Sequence, residues 1–149
     1  MTVEQFIENN IDKTTRYEVG DNPILVALPK PYTVPSVSDA FQEMYYWDTY
    51  FTNKGLILLG RTEQAISNLE NFVWLIDKYG FIPNGSCLPL LNRSQPPVFA
   101  LAVADVWRFL DVNKKKIFLS ALKKEHSFWE QNRKLANLNH YDCTTTAEE

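Results

Sequence analysis

The chain has 149 residues, 45% of them hydrophobic and 22% charged, with a formal net charge of -3 and a pI near 5.4. That length suits one ordinary globular domain, and an acidic chain whose only basic cluster is Lys114 to Lys116 lacks the face that nucleic acid would need. The 4 Trp, 7 Tyr and 9 Phe residues are side chains that build cores and also line sugar and ligand clefts.

The opening stretch MTVEQFIENN has neither a basic region nor an apolar run of signal-peptide type, and Val3 to Ile11 reads as a short amphipathic helix. Residues 14–40 carry Pro23, Pro29, Pro31 and Pro35, a density that excludes a long helix, so residues 1–40 are expected to form an extended Pro-rich arm. Strand-like alternation occurs only at Ile24 to Leu28. From about Phe41 to Leu59 the spacing predicts a helix that Gly60 closes, apolar round enough of its girth to be buried on more than one side.

Thr62 is expected to cap the next helix, where Ala65, Ile66, Leu69, Phe72, Val73 and Ile76 recur at helical spacing until Gly80 stops it. Residues 80–94, GFIPNGSCLPLLNRS, read as a loop. Ser94 or Gln95 is expected to open a third helix, with Pro96 and Pro97 in its first turn, that runs to about Leu110. Asn113 is expected to cap a fourth. Its apolar face is Ile117, Phe118, Ala121, Leu122, Phe128 and Trp129, and Lys123, Lys124, Glu130 and Arg133 point outward.

The tail from Tyr141 is polar and unpatterned. The whole reads as one all-α domain over 1–149 with a helical core over 41–135. Helix pairs at a spacing of about 35–50 residues would suit a toroid of helical hairpins.

Cys87 and Cys143 lie far apart without metal-ligand spacing and read as free thiols of a reducing compartment. With no apolar run long enough to span a bilayer, the expectation is a cytoplasmic protein. His126 and His140 have no Cys or carboxylate neighbours at ligand spacing, so no metal site is expected. Glu43 and Glu125 are carboxylates with nothing to mark them as an acid–base pair. The stretch MYYWDTYF poses a sharper question, because Asp48 is a lone charge among aromatic residues and a buried carboxylate without a partner costs several kcal/mol, roughly.

Three stretches bear on it together: LPKPYTVPSVSDAFQEMYYWDTYFTNKGL, then LIDKYGFIPNGSCLPLLNRSQPPVFAL, then LKKEHSFWE followed by LNHYD. In that order and spacing, over about residues 27–142, they resemble the α,α-trehalase family of glycoside hydrolases. The resemblance implies an (α/α)6 toroid, of which this chain would form about one third, and inverting hydrolysis of trehalose to glucose without metal or organic cofactor. Inversion takes a general acid and a general base about 6.5–9.5 Å apart. In the family both lie downstream of the LNHYD-like segment, so no catalytic residue is expected within this chain, and alone it is expected to be inactive.

The family's sugar contacts fall on Trp47, Asp48, Asn84, Arg93 and Gln95, with Phe41 keeping its position beside them. An indole packs on the C–H face of a pyranose, a carboxylate accepts two neighbouring hydroxyls, and an amide both donates and accepts. The bland alternatives are an Asp48 paired with a nearby cation, an Asn84 chosen for its turn, and an Arg93 paired with Asp48 or Glu43. One departure matters: Ala40 stands where the family has Arg, and the flanking glycines are gone, which bears on which disaccharide fits.

Two other readings stay open, a sugar-binding module without chemistry and a helical interaction protein. In each case the many-sided apolar helices imply self-association or a complementing C-terminal fragment.

Overall fold

The computed structural model describes residues 1–17 and 22–139; His140, Cys143 and the tail lie outside them. Helix α1 (Val3–Asn10) starts at a reciprocal cap, in which the Gln5 N–H donates to Thr2 Oγ1 and the Thr2 N–H to Gln5 Oε1. It buries none of its side chains. Beyond a 3-10 turn at Ile11–Thr14, β1 (Thr15–Arg16) pairs antiparallel with β2 (Tyr32–Thr33). The alternating stretch between them docks on the chain at residues 86 and 87: Leu25 bridges Cys87, and the Val26 N–H donates to Ser86 O at 2.9 Å.

Four further helices make two hairpins, α2 (Tyr46–Leu58) with α3 (Thr62–Tyr79), and α4 (Phe99–Val106) with α5 (Val112–Asn132). α2 packs on α3 and α4, and α3 packs on α5, so the helices lie in two layers, α2 beside α4 and α3 beside α5. The α2–α3 corner follows from Gly60, whose φ of 74° lets the Arg61 N–H reach Leu56 O at 2.8 Å and its own N–H reach Ile57 O at 3.1 Å. Gly80, with φ 84°, ends α3 in the same left-handed way. A short hairpin, β3 (Lys134–Leu135) with β4 (Leu138–Asn139), follows α5.

One core serves both hairpins. Tyr46 from α2, Phe72 from α3, Phe99 from α4 and Phe118 from α5 form a chain of edge-to-face rings at 5.2, 6.1 and 6.4 Å between centroids. The arm joins this core through Tyr32 and Val34 and is also tied to α3 by amides. Asn71 accepts from the Lys30 N–H and donates to Lys30 O, and buried Asn68 accepts from the Thr33 N–H.

Several sequence expectations need correction. α2 starts at Tyr46 rather than Phe41, because Met44 and Tyr45 are drawn into extended pairing with residues 85 and 86, and Phe41 sits at φ 57°. Thr62 is the first helical residue of α3, and Arg61 is the capping position. α4 starts at Phe99 and not at Ser94 or Gln95: Pro97 disfavours helical φ/ψ at Pro96, as Pro96 does at Gln95. The cap of α5 is Asp111, whose side chain accepts from the Lys114 N–H at 2.8 Å, and not Asn113.

Two side chains of α5 and its end face the other way. Ile117 is exposed, whereas Arg133 is 3% exposed and donates to Ser94 Oγ at 3.1 Å. Cys87 is buried and free. Among the described residues no helix is long and apolar enough to cross a membrane, and no group of three or more His, Cys, Asp and Glu side chains is placed to hold a metal ion.

Candidate functional site

The start of α2 is built by its neighbours rather than by its own side chains. Tyr45 occupies the capping position without a side-chain cap, so the first helical N–H groups need outside acceptors. The Tyr46 N–H donates to Asn84 O at 3.1 Å, and the Trp47 N–H donates to Gln95 Oε1 at 2.8 Å. The Asn84 N–H in turn donates to Arg93 O at 2.8 Å. Ser86 completes the frame, its N–H donating to Met44 O at 3.0 Å and its Oγ accepting from the Met44 N–H at 2.9 Å. The IPNG turn and the RSQPP segment therefore hold the end of α2 from two sides.

In front of that end lies a hollow of about 390 Å³ lined by Pro35, Ser36, Phe41, Tyr45, Asp48 and Gln95. Phe41 and Tyr45 stand edge to face at 6.1 Å and form its aromatic wall. Tyr45 and Asp48 are three residues apart across the first turn, so both point to the same side. Asp48 sits at the positive end of the helix dipole, which favours its charge, and it forms no ion pair among the described residues. Among the described residues it is the only charged side chain in the lining.

The Gln95 amide is oriented by its bond to Trp47: with Oε1 engaged as acceptor, its two N–H groups remain as donors. Burial, and after it Glu43, pushes the Tyr45 phenol up to about 12, so at neutral pH it stays protonated, with the Glu43 carboxylate as a hydrogen-bond partner of its hydroxyl. The hollow thus combines an anionic acceptor, neutral donors and aromatic faces.

Three of the sequence candidates, Phe41, Asp48 and Gln95, meet in this hollow, and Trp47 joins them through Gln95. Trp47 is exposed beside it, in edge contact with Phe51 at 6.3 Å. Asn84 and Arg93 belong to the frame through their backbones, and neither side chain lines the hollow. Arg93 makes no ion pair with Asp48 or Glu43 among the described residues; its Nε donates to Asn92 Oδ1 at 3.2 Å. Ala40, at the position of the family's Arg, is exposed and outside the lining, to which Ser36 contributes a hydroxyl.

Tyr45 and Ser36 were not singled out from the sequence. Tyr45 was legible in principle as the residue one turn before Asp48, whereas Ser36 reaches the hollow only because the arm folds back. Gly85 is needed for space: a Cβ there would lie 2.9 Å from Leu90 Cδ1 and 3.3 Å from Tyr45 Cε1, so a side chain would press on the aromatic wall. A larger and shallower concavity of about 680 Å³ lies between the end of α3 and α5, and no candidate residue touches it.

Two comparisons with known proteins bear on the site. The trehalase family model matches residues 3–149. Among solved structures, a neutral trehalase from Saccharomyces cerevisiae is similar over 91% of this chain and 26% of that chain, with 21% sequence identity and a TM-score of 0.64. The chain thus spans about a quarter of the length of the structure it matches. The likeness in fold makes the two hairpins, α2–α3 and α4–α5, part of an (α/α)6 toroid: two of its six, or one third of the ring.

Proposed function

The chain belongs to the trehalase family, and from that premise we propose that it carries one wall of the disaccharide pocket of an inverting, trehalose-hydrolysing enzyme. The observation that carries this reading is the convergence of Asp48, Gln95, Phe41 and Tyr45 on one hollow at the end of α2. Asp48 would accept two neighbouring sugar hydroxyls in charge-assisted bonds, and the Gln95 amide would donate to others. The rings of Trp47, Phe41 and Tyr45 would cover the C–H faces. Asn84 and Arg93 act in this reading through the backbone frame that sets the α2 end.

In this reading the described residues contribute sugar contacts rather than the acid–base pair, and the chain by itself is expected to bind sugar without cleaving it. An uncharged disaccharide suits the hollow, since no lining side chain among the described residues is cationic. In a calorimetric titration with trehalose, Asp48→Asn is expected to weaken binding about 10- to 100-fold, the loss of hydrogen bonds to a charged group worth about 1.5–3 kcal/mol. Binding unchanged in D48N, or glucose released from trehalose by the purified chain, would refute the assignment.

A second reading is favoured by exposed apolar side chains along the helices, among them Leu58 at 88% exposure, Leu101, Phe109, Ile117 and Leu119. Two hairpins of a closed ring have open flanks, and these residues suit contact with a second copy or with a complementing segment of the same fold. Sedimentation of the purified chain is expected to show oligomers or aggregates; a clean monomer across the micromolar range would count against this contact.

A further inference from the structure

Tyr46, one residue before Trp47 and Asp48, points away from the hollow into the core. Its hydroxyl donates to the Glu125 carboxylate of α5 and accepts from the Phe99 N–H at the start of α4, the latter at 3.0 Å. Glu125 is 5% exposed. The two sides of the hollow, the α2 end and the segment that runs from Gln95 into α4, are therefore tied twice. One tie is at the surface, from the Trp47 N–H to Gln95; the other is in the core, through the Tyr46 hydroxyl.

The core tie depends on where the phenolic proton points. An ionised Glu125 takes that proton and leaves the oxygen's lone pair to the Phe99 N–H. A protonated Glu125 either keeps that bond through its remaining carbonyl oxygen, now without charge assistance, or donates to the phenolic oxygen and turns the Tyr46 proton away.

We propose that Glu125 is a positioning residue for the hollow, acting through Tyr46, and that gain or loss of its proton resets the α2 end that carries Trp47 and Asp48. The groups around Glu125 are few. α2 supplies Tyr46, α3 the Phe72 ring against Tyr46, and α4 the Phe99 N–H. On α5 itself His126 is exposed, and Arg133 beyond its end donates to Ser94 Oγ and Asn132 O. Burial raises the carboxyl to about 7, and the Tyr46 bond partly opposes that rise. The functional consequence rests on the hollow being the sugar site proposed above; the tie itself is read without ligand.

The test follows the Trp47 indole N–H resonance, assigned through W47F, across pH 5.5–8.5, with trehalose affinity measured over the same range. In the wild-type chain the resonance should shift with a midpoint near 7. The shift should vanish in Glu125→Gln and in Tyr46→Phe, which removes the hydroxyl and keeps the carboxyl, and it should persist in His126→Gln. Trehalose affinity should change several-fold across that window in the wild type and stay flat in E125Q. A Trp47 shift that survives in E125Q or in Y46F, disappears in H126Q, or is absent from the wild type overturns the positioning role. A Trp47 shift with the expected variant pattern but no trehalose binding at any pH upholds the tie and refutes the sugar site instead.

Discussion

Replacing Asn68 by alanine is expected to lower the unfolding free energy by about 3–4 kcal/mol, a large share of the total for a domain of this size. Asn68 is fully buried on α3 and uses both ends of its amide. Oδ1 accepts from the Thr33 N–H at 3.0 Å and from Gln64 Nε2 at 3.2 Å; Nδ2 donates to Thr33 Oγ1 and to Asn53 Oδ1, each at 2.8 Å. Alanine would strand the Thr33 N–H and the Asn53 carbonyl away from water, each at a cost of about 1–3 kcal/mol, besides leaving a cavity.

Position on the helix separates this from ordinary loss of a contact. Ser67, next in the chain, donates to Pro31 O from a half-buried site, and Ser67→Ala should cost only about 0.5–1.5 kcal/mol. Urea unfolding at constant slope is the measurement. An N68A midpoint close to that of S67A would mean that the arm is not held by the amide.

Those amides mark the limit of what the sequence disclosed. α3 was legible because its apolar residues recur every three or four positions and a glycine ends the run. Its buried Asn68 and Asn71 were not, since a polar residue on a helix face reads as solvent-exposed until its partner, 35 or 41 residues away, is known. The same holds for Arg133, expected outward by its place in the pattern and held inward by Ser94.

The start of α2 was misplaced for a related reason. Phe41, Met44 and Tyr45 continue a helical period, yet the backbone there pairs with residues 85 and 86, which periodicity cannot see. The candidate site fared differently. Trp47, Asp48 and Gln95 were identified by a family pattern, and the structure adds how they are held: a glutamine side chain completing the hydrogen bonding of a helix that lacks its own cap. The link from Tyr46 to Glu125 spans 79 residues of sequence and had no local signature.

Glu125 should also leave a signature in stability. Its carboxyl is raised from 4.5 to about 7 by burial, which the Tyr46 bond only partly offsets. An acid whose folded value lies above its unfolded value stabilises the fold most while it is protonated in both states. That contribution is complete below pH 4.5 and is lost as pH rises through 7, because the unfolded chain ionises first and unfolding then releases a proton. A gap of that size corresponds to about 3 kcal/mol.

The wild-type chain should therefore lose about 2–3 kcal/mol of this contribution between pH 5 and pH 8. Tyr46, held well above 10, titrates outside that window. Glu125→Gln keeps an acceptor for the Tyr46 hydroxyl but cannot ionise, so its unfolding free energy should lack this decline and should exceed that of the wild type at pH 8. Urea unfolding of both proteins at the two pH values gives the comparison, and parallel curves would show that Glu125 keeps its charge in the fold at both. In its ionised state the Glu125 carboxylate would orient one hydroxyl proton on Tyr46, and through it bear on the helix end that carries Asp48.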